Sequence, residues 1–491
     1  MLLSFVSIAR STVQTLSYTQ MVDHFARKPT YFTQRYFVNS DYANKSRNII
    51  LYLGGANELD PNEITPGPIL EIASQTKSVI IGLEHRYFGK SVPTVNMSQF
   101  NMQYCSVPQA ILDIKSFVLQ GKIRNDYCTE PDFCKFFLMG KGYGGGLATW
   151  ASTGFKRFYL GAWASSAPLV SINTFTQYDQ KEAYFLGNIT IEATNCYKVM
   201  HDVYNTIETV VVAKNESTKY MMQNFSIPDA ENFMNNTVDF LYMFSEAMSR
   251  GIRNSSNVEH INNMCKELHQ FKPCFATELI KILSNYTKIF TNNSFYDLRP
   301  QLGLEYGPMR PYFQLKCHDL GGFPVSNGNL RSPLLNSSYY NDQICLRFLE
   351  RTLPDPDIFN RLHLGTDPQT ENIIFTIGEY DQNIDISCTT NNTDYNRFAF
   401  IIKNAGFAED FEPDYDARQD DLKFITGLAI NKAVEIINNG QYFNMFYVEI
   451  IVGTISAVIL LFTILLIILC VSKSGGKPDL STQPLISQNL N

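Results

Sequence analysis

Positive charge is in deficit: the 491 residues carry a formal net charge of −7, and no stripe of Lys and Arg is present. That excludes the basic footprint of a nucleic-acid-binding surface. No paired Cys-x-x-Cys spacing occurs among the ten cysteines, so a zinc ribbon or finger is excluded, and neither a metal nor a cofactor is expected. There is no internal repeat. Histidine is scarce, with seven residues, and none follows His363. Disorder is excluded by an apolar fraction of 45%, and the length allows two or three domains with ample core.

Hydrophobicity is concentrated near the C-terminus. Residues 450–471 contain no charge and are interrupted only by Gly453, Thr454, Ser456 and Thr463. About 20 such residues span a bilayer core of roughly 30 Å, so one transmembrane helix is expected. Lys473 and Lys477 follow it, which puts the tail, residues 472–491, in the cytoplasm. Residues 1–15 resemble a short signal peptide without a basic start. Between these ends lie eleven Asn-x-Ser/Thr sequons, at Asn44, Asn96, Asn188, Asn215, Asn224, Asn235, Asn254, Asn285, Asn292, Asn336 and Asn391. That is about twice the chance expectation from the Asn, Ser and Thr content. A glycosylated lumenal or extracellular ectodomain is expected, in the lysosome or endosome or at the cell surface. Nine cysteines share that side, while Cys470 lies in the apolar run. Cys128/Cys134 and Cys265/Cys274 are close enough in sequence to pair, and the odd count leaves at least one thiol over.

Residues 16–169 alternate strands with helices. Buried-strand runs occupy 48–53, 78–83, 136–139 and 160–164, and residues 107–119 have helical apolar spacing. This is the α/β class with a parallel sheet. Residues 170–362 lose that texture and read as a mainly helical cap inserted into the domain. It returns over 363–440, with strands at 372–378 and 397–402 and a last amphipathic helix near 422–438.

The third of these strands runs into Gly140-Lys141-Gly142-Tyr143-Gly144 and then a helix. A strand, a glycine-rich turn and a helix form the context of a G-x-S-x-G nucleophile elbow. Here the central residue is glycine.

Several blocks carry a family resemblance: Val22-Asp23-His24-Phe25, Gln34-Arg35-Tyr36-Phe37, Glu84-His85-Arg86-Tyr87-Phe88-Gly89-Lys90-Ser91, Tyr143-Gly144-Gly145, Ala164-Ser165-Ser166-Ala167-Pro168 and Phe313-Gln314-Leu315-Lys316-Cys317-His318-Asp319. Together they make the chain resemble the lysosomal Pro-Xaa carboxypeptidase, dipeptidyl peptidase II and thymus-specific serine protease family. The resemblance implies an α/β-hydrolase domain with a helical cap, and cleavage next to proline near a peptide end. Carried over residue by residue, the family's serine falls on Gly142, its aspartate on Asp381 and its histidine on Phe407, within Asn404-Ala405-Gly406-Phe407-Ala408-Glu409-Asp410-Phe411. Tyr143, Gly54, Gly55 and Glu58 are the matching oxyanion and pocket candidates, with Asn57 a rival to Glu58 for the acidic residue that receives a substrate amine.

The histidine count tests this independently. α/β-hydrolase triads run Ser, Asp, His along the chain, and no histidine follows Asp381. Acyl transfer needs a nucleophile, a base bonded to it and a carboxylate that orients the base; two of the three are missing. Ser165 and Ser166 sit at the next strand end, where the family has the same residues, and read as structural. His85 belongs to a block shared with active members, and His318-Asp319 has no nucleophile to serve. The expected function is a pseudopeptidase that binds peptides or protein partners. The alternatives are an active dipeptidyl or Pro-Xaa exopeptidase with a non-standard nucleophile, and a glycan carrier in adhesion or coat formation.

Overall fold

The computed structural model describes residues 13–154, 157–191, 194–228, 230–254, 257–270, 276–298 and 309–440. The expected transmembrane helix at 450–471 lies outside them. Among the described residues no helix is long and apolar enough to cross a membrane.

An eight-stranded sheet forms the centre: β1 (Gln14–Met21), β2 (Tyr31–Asn39), β3 (Asn48–Leu53), β4 (Val79–Leu83), β5 (Lys135–Lys141), β6 (Tyr159–Ser165), β7 (Ile373–Gly378) and β8 (Phe398–Ile402). Their spatial order is β1-β2-β4-β3-β5-β6-β7-β8. β2 runs antiparallel to β1 and to β4, and every other pairing is parallel. β3, Asn-Ile-Ile-Leu-Tyr-Leu, is buried along its whole length, as a central parallel strand covered on both faces must be.

The β1–β2 hairpin extends the domain upstream of the strands legible in the sequence. β1 begins at Gln14, paired with Val38, so the sheet takes in two residues that the leader was expected to include. Buried charge ties this hairpin down. Arg86 donates from Nε to Asp113 at 2.6 Å and from Nη1 to the Val22 carbonyl at 2.9 Å, and His24 Nε2 lies 2.7 Å from Asp113 Oδ1. These are residues of the resemblance blocks, engaged in architecture. Asp113 comes from α1 (Val107–Leu119), which begins and ends where its spacing implies.

Between β6 and β7 the chain builds the helical cap. Its main members are α3 (Thr176–Gly187), α4 (Cys196–Ala213), α5 (Thr237–Ile252), α6 (Val258–Gln270) and α7 (Ala276–Phe290). The apolar face of α5 supplies Phe240, Met243, Phe244 and Met248 to a core distinct from the two that cover the faces of the sheet. After β8 the chain closes the opposite face with a helix over residues 420–440.

Disulfides join Cys128–Cys134, Cys196–Cys265 and Cys317–Cys345. The first follows the short spacing. Cys265 does not await Cys274, which lies outside the described residues: it pairs across 69 positions with Cys196, because α6 packs against α4. Cys105 and Cys388 are buried free thiols. None of the eleven sequon asparagines is buried; Asn96, Asn224 and Asn254 are half-buried and the other eight exposed.

Cys196–Cys265 staples two cap helices to each other. Cys196→Ala is expected to lower the unfolding free energy by about 2–4 kcal/mol, read by denaturant titration. Non-reducing peptide mapping should recover the 196–265 link.

Candidate active site

β5 ends at Lys141, and α2 (Tyr143–Gly154) begins one residue later. Gly142 makes the turn with φ +54°, a left-handed conformation that glycine adopts without steric cost. Its N–H donates to the Ser165 carbonyl at 2.8 Å, and its own carbonyl accepts from Gly146 at 3.1 Å. Behind the turn, a Cβ on Gly144 would lie 2.5 Å from the Leu53 carbonyl oxygen, so α2 sits on β3 at backbone distance. Lys141 points aside, with Nζ 3.3 Å from Glu63, which also accepts from the Tyr52 hydroxyl at 2.7 Å.

Phe407 faces this turn. A Cβ built on Gly142 would meet three atoms within 4 Å that rank as its nearest, all of them in the Phe407 ring, with Cζ at 2.7 Å. The two positions are therefore in direct contact, as a nucleophile and its base would be. The ring is held from above by the cap. Arg253, just beyond α5, lies with its guanidinium carbon 4.4 Å from the Phe407 centroid, and its carbonyl accepts the Phe407 N–H at 2.7 Å. A Cβ on Gly406 would come within 2.1 Å of that same carbonyl oxygen, so this approach requires glycine. The cation–π contact contributes about 0.5–2 kcal/mol.

Asp381 follows β7 and is fully buried. Its Oδ1 accepts from the Asn383 N–H at 2.8 Å, whereas Oδ2 has no hydrogen-bond partner. The Ser166 hydroxyl accepts the Ala408 N–H at 2.7 Å, which leaves its own proton to favour the Asp381 carboxylate by hydrogen bonding. A triad aspartate presents such an oxygen to an imidazole N–H, and none is present here. Burial raises the Asp381 pKa to about 6, offset in part by Ser166, the Asn383 amide, Arg253 and Lys181.

Ser165 is structural. It donates to Asp410 Oδ1 at 2.6 Å, Thr376 donates to Oδ2 at 2.5 Å, and the Trp163 indole N–H donates to Thr376 at 2.8 Å. Burial likewise holds the Asp410 pKa up, at about 6. Asp410 was not singled out in the sequence; its signal is an acidic residue three positions after Phe407, inside the matched block.

The remaining candidates separate. His85 Nδ1 lies 2.6 Å from the Arg86 carbonyl, so it carries the proton, and Nε2 accepts from the Tyr143 hydroxyl at 3.1 Å. Burial lowers the His85 pKa to about 4, so the ring is neutral and held in place. His318 Nδ1 lies 2.8 Å from Asp319, whose other oxygen accepts the first amide of α1 at 2.7 Å. Glu58 is exposed and paired with Arg35 at 2.7 Å, which ties up the expected amine receptor. Gly54 gives its N–H to the Leu83 carbonyl at 2.9 Å, so it cannot serve an oxyanion. Tyr143 opens α2, and Gly55 lies beside it, its Cβ direction 3.6 Å from the Gly144 nitrogen. Among the described residues no cluster of three His, Cys, Asp or Glu could hold a metal ion.

The strand order, the elbow after β5 and the acidic loop after β7 define an α/β-hydrolase architecture with its site at the carboxyl ends of the strands. Residues 20–426 match the serine carboxypeptidase S28 family, and the chain belongs to it. It is 30% identical to the thymus-specific serine protease of Mus musculus over 186 residues, 37% of this chain and 36% of that one, so the match spans about a third of the mouse protein. It is 25% identical to the probable serine protease EDA2 of Arabidopsis thaliana over 386 residues, 75% of this chain and 73% of the other. Among solved structures, carboxyl esterase 2 of Tuber melanosporum aligns over 88% of this chain and 89% of its own, at 10% identity and a TM-score of 0.34.

Gly142→Ser alone should be destabilising, because it places a Cβ at positive φ and against Phe407; the expected loss is about 2–4 kcal/mol. Adding Phe407→His, a shorter ring, should recover at least about 1 kcal/mol. A double-mutant cycle by thermal or chemical denaturation measures that coupling.

The raised Asp381 pKa has a definite sign. The folded state binds a proton between about pH 4 and 6 that the unfolded state has released, so this group's contribution falls as pH rises through 6. Asp381→Asn should therefore raise the melting temperature more at pH 7.5 than at pH 4.5, by an amount corresponding to at most about 3 kcal/mol. Calorimetry at the two pH values checks this, and a larger gain at pH 4.5 would contradict it.

Proposed function

We propose that this chain is a membrane-anchored, glycosylated S28 homologue that binds peptides or protein partners at the site over Gly142 and does not cleave them. One observation carries the reading. The residue at the elbow has no side chain, and the space above it, where an oxygen nucleophile and the attacked carbonyl would have to be, is taken by the Phe407 ring. A hydroxyl, an imidazole and a tetrahedral intermediate are all required for acyl transfer, and this arrangement offers none of them room. The alternative of an active exopeptidase lacks a nucleophile: Ser165 and Ser166 are buried and bonded to Asp410 and Ala408. Support for the anchor comes from the uncharged run at 450–471, and support for glycosylation from eleven sequons of which none is buried.

A serine-reactive fluorophosphonate probe should leave the purified protein unlabelled, while Gly142→Ser with Phe407→His should gain labelling if the Tyr143 and Gly55 amides still face the site. Stoichiometric labelling of the natural chain would refute the proposal.

A further inference from the structure

The sheet ends in two edge strands, β1 and β8, and their sequences differ in kind. β1 reads Gln-Thr-Leu-Ser-Tyr-Thr-Gln-Met, whereas β8 reads Phe-Ala-Phe-Ile-Ile, uncharged and without proline or glycine. An apolar edge of that composition is a template for another strand. Along β8 successive residues turn their backbone groups to opposite sides. The Ile402 carbonyl accepts the N–H of Glu379, just past β7, at 2.8 Å, so Ala399 and Ile401 face the open side. That side is plugged at two points. Arg397, just before the strand, exchanges both backbone hydrogen bonds with Asn392, at 2.8 and 3.0 Å. The Ala399 N–H donates to Asn391 Oδ1 at 2.8 Å. Ile401 is 46% exposed, and among the described residues no hydrogen bond engages its outward N–H. Asn391 is itself exposed and opens Asn391-Asn392-Thr393, the one sequon in residues 363–440. Its Nδ2, the atom that takes a glycan, makes no hydrogen bond among the described residues.

We infer that a glycan on Asn391 screens the open edge of β8 and keeps a second copy of this chain from pairing with it. The inference rests on the glycosylation reading above and adds what one glycan does. Modification exchanges one Nδ2–H for a bond to the anomeric carbon of an oligosaccharide supplied as its lipid diphosphate; the diphosphate leaves with the bonding pair, and the displaced proton passes to solvent. The amide oxygen is untouched, so the hydrogen bond from Ala399 survives and holds the first sugar beside the strand. Ile401 lies about 7 Å further along β8, within reach of a chain of several sugars. Without the glycan, two such edges can pair antiparallel about a two-fold axis.

The test uses the full chain in detergent, with glycopeptide mass spectrometry for site occupancy and sedimentation over a concentration series for protein mass. Asn391 should be occupied in the natural chain. Thr393→Ala removes the sequon but keeps the Asn391 carboxamide, and should raise the mass about 2-fold over the natural chain, as pairing about a two-fold axis gives. Adding Ile401→Lys, which puts a charge on the edge, should reverse that gain. Glycans at other sequons with Asn391 bare overturn this inference and leave the glycosylation reading standing; a chain with no glycan overturns both. An occupied Asn391 whose loss leaves the mass unchanged also overturns it, as does a gain that Ile401→Lys does not reverse. Enzymatic deglycosylation of the folded natural chain must give the same gain, and of the Ile401→Lys chain must not, so the result does not depend on how Thr393→Ala folds.

Discussion

The turn at Gly142 is the constraint on which the site depends. β5 must stop, reverse into α2 within one residue, and leave α2 close enough to β3 for Gly144 to touch the Leu53 carbonyl. A left-handed residue there fixes the direction of α2, and α2 in turn positions Tyr143 against His85 and Trp150 against Phe359. This junction ties the central β3–β5–β6 ladder to the helix above it. A residue with no side chain satisfies the constraint without strain, so the turn keeps its shape although it offers no nucleophile.

Around that turn the polar groups divide into two kinds. Ser165, Thr376, Asp410 and Trp163 form a closed hydrogen-bonded set behind the sheet ends, tying the β6 and β7 ends to the loop that carries Phe407. Asp381 and Arg253 are open: one has an oxygen without a partner, the other a guanidinium stacked on carbon. The closed set explains why the Phe407 loop holds its position without an imidazole.

Much of this was legible in the amino-acid order. The buried strands at 48–53 and 160–164 declare themselves by uninterrupted apolar runs, and α1 by its 3.6-residue spacing. No histidine follows Asp381 in the sequence, and the structure sets the Phe407 ring against Gly142. What escaped was long-range. The β1 and β2 strands alternate exposed and buried residues over much of their length, a weaker signal than a continuous run; β2 joins the sheet by pairing with β4, and β1 by pairing with β2. Cys196 finds Cys265 through helix packing, which no spacing rule encodes. Arg253 lies in the cap, where the family blocks are sparse, and it meets Phe407 only because α5 ends beside that ring.

The contact between position 142 and the Phe407 ring also makes history directional. A serine at the elbow and a phenylalanine at 407 compete for the same volume, whereas glycine beside histidine does not. Any path of single substitutions between a Ser–His pair and the Gly–Phe pair at these positions therefore avoids the clash only if position 142 becomes glycine first. The reverse order passes through a strained intermediate. With the ring settled under the cap arginine, a serine at 142 is accommodated only at the cost of strain, which a change at 407 relieves.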